Sequence, residues 1–199
     1  MRRLLSKLVS AAVLATPTLG CTHNVDPKVT PEKVATVRPP IKARVVLLIA
    51  PAFETYATES QEGLHHFVYH LGQSASIGVQ DVVKGSFSDV DVEHVGDAEV
   101  LKWLTTPGDT TKEDVLLVPN FAHGDATTHF ASISSDVRIR MDVRCYRSGS
   151  TYSWITSGHT SRFMSSRKGL TGSSLEQALN ALTDTLGANR AALEVVRSQ

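Results

Sequence analysis

Val137-Arg138-Ile139-Arg140-Met141-Asp142-Val143-Arg144-Cys145 is the stretch on which the fold turns. Apolar and charged residues alternate without interruption, the period of a strand that buries one face and wets the other. Arg147-Ser148-Gly149-Ser150 then supplies turn chemistry. Thr151 to Arg162 returns with Tyr152, Trp154 and Ile155, so residues 135–162 read as a long β-hairpin.

Working outward, Val45-Val46-Leu47-Leu48-Ile49 and Val115-Leu116-Leu117-Val118 are continuous aliphatic runs, as in central strands covered on both faces. Between them, Leu71, Ala75, Val79, Val82, Val83 and Phe87 recur at helical spacing. Val90, Val92 and Val95 mark a further strand, and a short helix is expected around Ala98 to Leu104. Glu54 to Gly63 reads as a polar loop, His66 to Tyr69 as a short strand, and Thr105 to Asp114 as a turn. Near the C-terminus Ser173 and Glu176 have capping-box spacing, and Leu175, Leu179, Leu182, Leu186 and Leu193 form one stripe. The order predicts an α/β (α+β) domain: a two-layer sandwich, with a mixed β-sheet, helices packed on one face and the long hairpin in its C-terminal half. The other face would carry Arg138, Arg140 and Arg144.

The chain has 199 residues, enough for one domain of ordinary size. Arg2, Arg3 and Lys7 are three of its twenty Lys and Arg residues, leaving seventeen against twenty Asp and Glu in the remainder. That slightly acidic remainder gives no electrostatic reason to expect a nucleic-acid partner. The three cations precede the apolar stretch Leu8 to Ala15, too short to span a bilayer as a helix, and Pro17-Thr18-Leu19-Gly20-Cys21 follows. Residues 1–20 therefore read as a cleaved signal. Thr18-Leu19-Gly20-Cys21 resembles the bacterial lipobox, with Gly20 fitting the motif and Thr18 standing where Leu is usual. The resemblance implies acylation of Cys21 and a membrane attachment through lipid; Thr22, where an inner-membrane retention signal carries Asp, implies the outer membrane. The alternative is ordinary signal-peptidase cleavage and a free protein. Residues 21–42, with Pro27, Pro31, Pro39 and Pro40, read as an extended tether of up to roughly 60 Å, and residues 43–199 as a single periplasmic domain. With Cys21 acylated, Cys145 has no partner for an intrachain disulfide and reads as a core thiol.

No constellation for chemistry stands out. His65, His66 and His70 cluster, and His123, Asp125 and His129 lie further on, but zinc needs three or four ligands and a second shell, and no ligand spacing accompanies them. Neither G-x-S-x-G nor H-E-x-x-H nor a phosphate-binding glycine loop occurs, and Ser165 to Lys168 has S-x-x-K spacing without a partner motif. No catalytic residue, metal ligand or cofactor is assigned. The best working surface is the arginine row, Arg138, Arg140 and Arg144, on one strand face where positions two residues apart are about 7 Å apart, with Tyr152 and Trp154 adding aromatic area. It suits carboxylate or phosphate groups of a protein partner, lipid or glycan, or else it is a solvated face with an ion pair through Asp142.

Lipobox, Pro-rich stretch, the strand Val45 to Ile49, the hairpin from Arg138 to Arg162 with Trp154 and the helix from Ser173 form a plan. That plan resembles small outer-membrane lipoproteins of envelope assembly and transport, including the lipopolysaccharide-assembly lipoprotein and the auxiliary lipoproteins of lipid-transporting ABC systems. The resemblance implies a non-enzymatic accessory role with an envelope protein complex as partner. Direct binding of an anionic lipid or glycolipid is the second reading, and a hydrolase or metal-dependent enzyme without a recognisable motif the third.

Overall fold

The computed structural model describes residues 20–106, 113–129, 132–163 and 166–194. The signal segment before Gly20, the Pro107–Gly108 turn and Ser165 lie outside the described residues. The aliphatic run forms β2 (Ile41–Ile49), buried from Val45 to Ile49 as a strand covered on both faces requires. It is central to a five-stranded sheet of order β5-β2-β6-β7-β8, where β5 is Phe87–His94, β6 Val115–His129, β7 Ser132–Cys145 and β8 Ser150–Phe163. Both neighbours of β2 run parallel to it, while β6, β7 and β8 form an antiparallel meander. The expected hairpin is β7–β8: Met141 pairs with Trp154 and Arg144 with Thr151, and Gly149 turns the chain at φ +67°.

α2 (Gly72–Ser86) and α4 (Arg167–Ala188) cover one face of this sheet. Their stripes, Ala75, Val79, Val82 and Val83 with Leu175, Leu179, Leu182 and Leu186, meet Val137, Ile139, Met141 and Val143 in the main core. The α+β sandwich expected from the sequence is thus the observed class. One helix departs from the one-sided plan. α3 (Asp97–Thr105) lies on the opposite face, where Val100, Trp103 and Leu104 pack on Val46, Leu48, Leu116 and Val118.

Three expectations need correction. The polar stretch after Glu54 is not a loop: a short helix α1 (Pro51–Glu54) leads into β3 (Ala57–Glu62), antiparallel to β4 (His65–His70). α4 starts at Arg167 rather than Ser173, and its N-cap is Ser166, whose hydroxyl accepts from the Gly169 N–H at 3.3 Å. Leu193 belongs to a separate turn, α5 (Arg190–Leu193).

The third correction is the tether. Residues 21–42 do not hang free but lie on the domain. β1 (Cys21–Val25) joins β4 in parallel, giving a second, three-stranded sheet of order β1-β4-β3. Beyond it the chain runs along α4. The Thr30 N–H donates to Glu176 Oε1 at 2.9 Å, the Ala35 N–H to Asn180 Oδ1 at 2.7 Å, and Thr183 Oγ1 donates to the Ala35 carbonyl at 2.8 Å. Val25, Val37 and Ile41 are buried, with Val29 and Val34 partly so. Prolines keep most of this stretch extended; one 3-10 turn interrupts it at Pro31–Lys33, where the Lys33 and Val34 N–H groups donate to the Thr30 and Pro31 carbonyls, and polar side chains on one face of α4 satisfy the backbone on either side. Glu176, assigned by spacing to a capping box, belongs to this contact.

Candidate functional surface

The alternation in β7 places Arg138, Arg140 and Arg144 on the face away from α4, as expected. Each has a partner within the molecule. Arg138 forms a fork on Asp136, Nε to Oδ1 at 3.0 Å and Nη2 to Oδ2 at 3.2 Å. Arg140 lies 3.1 Å from Asp142, which also accepts from Ser153 Oγ at 2.7 Å. Arg144 reaches α3, where its Nη1 donates to the carbonyls of Trp103, Leu104 and Thr106 at 3.2, 2.7 and 2.6 Å. Its guanidinium also lies 5.1 Å from the Tyr146 ring centroid. A cation on the last carbonyls of a helix satisfies orphan acceptors and meets the negative end of the dipole. Arg144 is therefore the C-terminal clamp of α3.

Tyr152 and Trp154 do not join this row. They are opposite Val143 and Met141, whose side chains are buried beneath the helices. Residues directly opposite share a face, so the two rings, 6.1 Å apart, sit on the other side of the sheet from the arginines. The five residues grouped from the sequence divide three and two. What remains outward between Arg138 and Arg140 is Ile155, opposite Arg140 and 62% exposed.

The histidines have separate partners. His66 Nε2 is 3.0 Å from Glu59 Oε2, His70 Nε2 is 3.3 Å from Asn24 Oδ1, and His23 Nε2 is 2.9 Å from His65 Nδ1. Among the described residues no three His, Cys, Asp or Glu side chains stand close enough to hold a metal. The side chains of Asp125 and His129 lie outside the described residues. Cys145 is buried, and burial pushes its thiol up, away from the thiolate a nucleophile needs.

Two charged centres were not legible in the sequence. Arg167 opens α4 and joins it to the small sheet: its guanidinium lies 3.9 Å from the Phe67 ring centroid, donates to Tyr69 Oη at 2.7 Å and pairs with Glu62. Burial alone would lower the Arg167 pKa, but bonds to Glu62 and Tyr69 outweigh it, so the group stays charged. Asp114, before β6, accepts from the Arg44 backbone N–H at 3.0 Å and lies 3.4 Å from the Arg44 guanidinium and 3.3 Å from that of Arg147. No spacing rule announces either, because the partners come from distant segments. A cleft of about 470 Å³ opens beside this region, lined by Arg44, Asp89, Asp91, Glu93, Trp103 and Glu113.

Cys21 is exposed and begins β1. Its backbone N–H donates to the Leu64 carbonyl at 3.1 Å, at the β3–β4 turn. None of the described helices is long and apolar enough to cross a membrane.

No protein-family model matches the chain, and no curated protein matches it. Solved structures do. A hypothetical protein from Chlamydia trachomatis is 13% identical with a TM-score of 0.50, over 75% of this chain and 98% of that one. A DUF330 protein from Xanthomonas campestris is 9% identical with a TM-score of 0.47, over 87% of this chain and 95% of that one. A lipoprotein from Neisseria meningitidis is 13% identical with a TM-score of 0.31, over 75% and 98% respectively. At such identities the first of these speaks to the fold alone.

Proposed function

We propose that the protein is a membrane-anchored accessory lipoprotein of the bacterial envelope, which binds a protein partner or envelope component without catalysis. The observation that carries the reading is the position of Cys21. A residue preceded by a basic start, an apolar stretch and Gly20 is also exposed at the surface of the folded domain, where acyl chains meet no steric obstacle. Attachment through two or more chains is stable, whereas one chain alone is marginal. Thr22 favours delivery to the outer membrane.

For the partner-binding face we assign the outer side of β7–β8 around Arg138, Arg140 and Ile155. Ile155, exposed among the paired arginines, favours a protein partner over an anionic lipid headgroup or glycan, because it offers apolar area beside Arg138–Asp136 and Arg140–Asp142. Exposed pairs of this kind contribute little stability, so a partner's carboxylates compete with them at small cost.

The test is intact mass and membrane fractionation of the wild type beside Cys21→Ala in a Gram-negative host, with a cross-linker added to the same cells. The wild type is expected in the outer-membrane fraction with diacylglycerol mass and trapped with an envelope protein, and the variant unprocessed or soluble. Equal solubility of both would remove the anchor and with it the reading.

A further inference from the structure

We propose that the end of the domain formed by Cys21 and the β3–β4 turn rests on the bilayer, with Leu64 seated at the level of the lipid headgroups. The proposal rests on acylation of Cys21 and adds where the domain sits once anchored.

The geometry follows from the absence of slack. Residues that a tether would use to hold the domain away from the membrane are spent in β1 and along α4. Cys21 is itself in register with His65 and bonded through its N–H to the Leu64 carbonyl. An N-acylated cysteine keeps one amide hydrogen, so this bond is compatible with modification. Chains leaving Cys21 therefore leave from a residue fixed beside Leu64, and the bilayer cannot be far from either.

The turn has the chemistry for that position. Gly63 takes φ +59°, and beyond its chain neighbours no atom lies within 4 Å of where its Cβ would be, so that side of the turn is open. Leu64, next to it, is 67% exposed. Single exposed leucines are ordinary on protein surfaces; this one adjoins the anchor. The turn's carboxylate, Glu62, is neutralised by Arg167, and His65 is bonded to His23. An apolar tip whose acid is already paired brings no uncompensated carboxylate to the headgroup region. The hairpin turn at Ser148 serves as the distant reference, since β7–β8 carries it a strand length of about 45 Å from the Phe163 end.

The experiment uses the full, acylated protein with Cys145→Ala, so that Leu64→Cys or Ser148→Cys supplies the single reactive thiol. Each is labelled with an environment-sensitive fluorophore and reconstituted into phosphatidylethanolamine–phosphatidylglycerol vesicles, with and without headgroup-proximal spin-labelled lipid. The probe at 64 is expected to shift to the blue and lose most of its emission to the spin label, and the probe at 148 to do neither. If acyl mass and vesicle flotation are present but the probe at 64 stays as wet as that at 148, the contact is overturned and the anchor stands. A blue shift without quenching would also overturn it, giving the tip to a protein instead. Loss of both acyl mass and flotation removes the anchor and the contact together.

Discussion

Asp114 carries the clearest energetic consequence of a single residue. Its side chain is 1% exposed and faces two guanidinium groups, from Arg44 and Arg147. Burial alone would raise its pKa; the Arg44 N–H, the Arg44 guanidinium and Arg147 together outweigh burial and hold it below the usual carboxylate range. The folded state therefore releases this proton more readily than the unfolded chain does. The resulting stability is present above an unfolded value of about 4 and disappears as pH falls from there through the lower folded value. Asp114→Asn is expected to cost about 2 kcal/mol at pH 7, because it takes the charge from the hydrogen bonds to Arg44 and leaves two partly exposed guanidinium groups short of a counter-charge. Thermal melts from pH 7 to pH 2 check the sign: the wild type should lose more stability on acidification than the variant, and the two curves should converge. Parallel curves would contradict the assignment. Nothing near Asp114 announces this role in the sequence, since Arg44 is separated from it by 70 residues. The arginine row was legible as a row, because alternation fixes the face, but alternation says nothing of what stands opposite. That Arg144 ends beneath α3 depends on a helix 40 residues away.

Elements with one strong period were readable, and those without were not. β7, α2 and α3 each repeat an apolar residue at the spacing of their structure. β3, Ala57-Thr58-Glu59-Ser60-Gln61-Glu62, has no apolar face because its sheet is small and its inward positions are only half-buried. β6 runs past Val118 through Pro119 to His129, well beyond the aliphatic run Val115 to Val118. β2 pairs with β6 only as far as Leu117, whereas β7 continues the ladder on the other side, with Pro119 opposite Met141. The contact of α4 with β8 makes a sharper demand. A Cβ at Gly158 would lie 1.9 Å from the Ser174 carbonyl oxygen and 2.7 Å from the Ala178 nitrogen. Backbone cannot yield as a side chain tip does, so Gly158→Ala should push the helix from the sheet and cost about 2 kcal/mol or more. A lower urea midpoint at unchanged slope is the expected result, with Ser157→Ala, on an exposed position, near wild type. An unaltered midpoint for Gly158→Ala would show that the packing is looser than described.

At the scale of the whole molecule, the stretch 21–42 decides how many surfaces the domain has. Its composition, polar and rich in proline, matches a free linker, and the buried valines in it are too widely spaced to show a period. Only the matching row on α4, Glu176, Asn180 and Thr183, reveals that it has a place to lie. Removing residues 21–40 should therefore cost several kcal/mol from Val25, Val37 and their neighbours. The expected fall in Tm is roughly 10 °C; a tether would leave Tm unchanged, and calorimetry separates the two.

The bond from Thr30 to Glu176 spans 146 residues, close to the full length of the folded chain. Its closure waits on a helix made nearly last, and contacts of such separation form late because the intervening loop must first be gathered. A chain delivered N-terminus first thus spends its synthesis and passage with residues 28–37 undocked, and β1 unpaired at least until β4 has followed. With the proposed acylation of Cys21, the 20–21 peptide bond would be presented to a processing enzyme on slack polypeptide, and the fold itself would draw that slack in afterwards, hauling the domain down toward whatever Cys21 is fastened to.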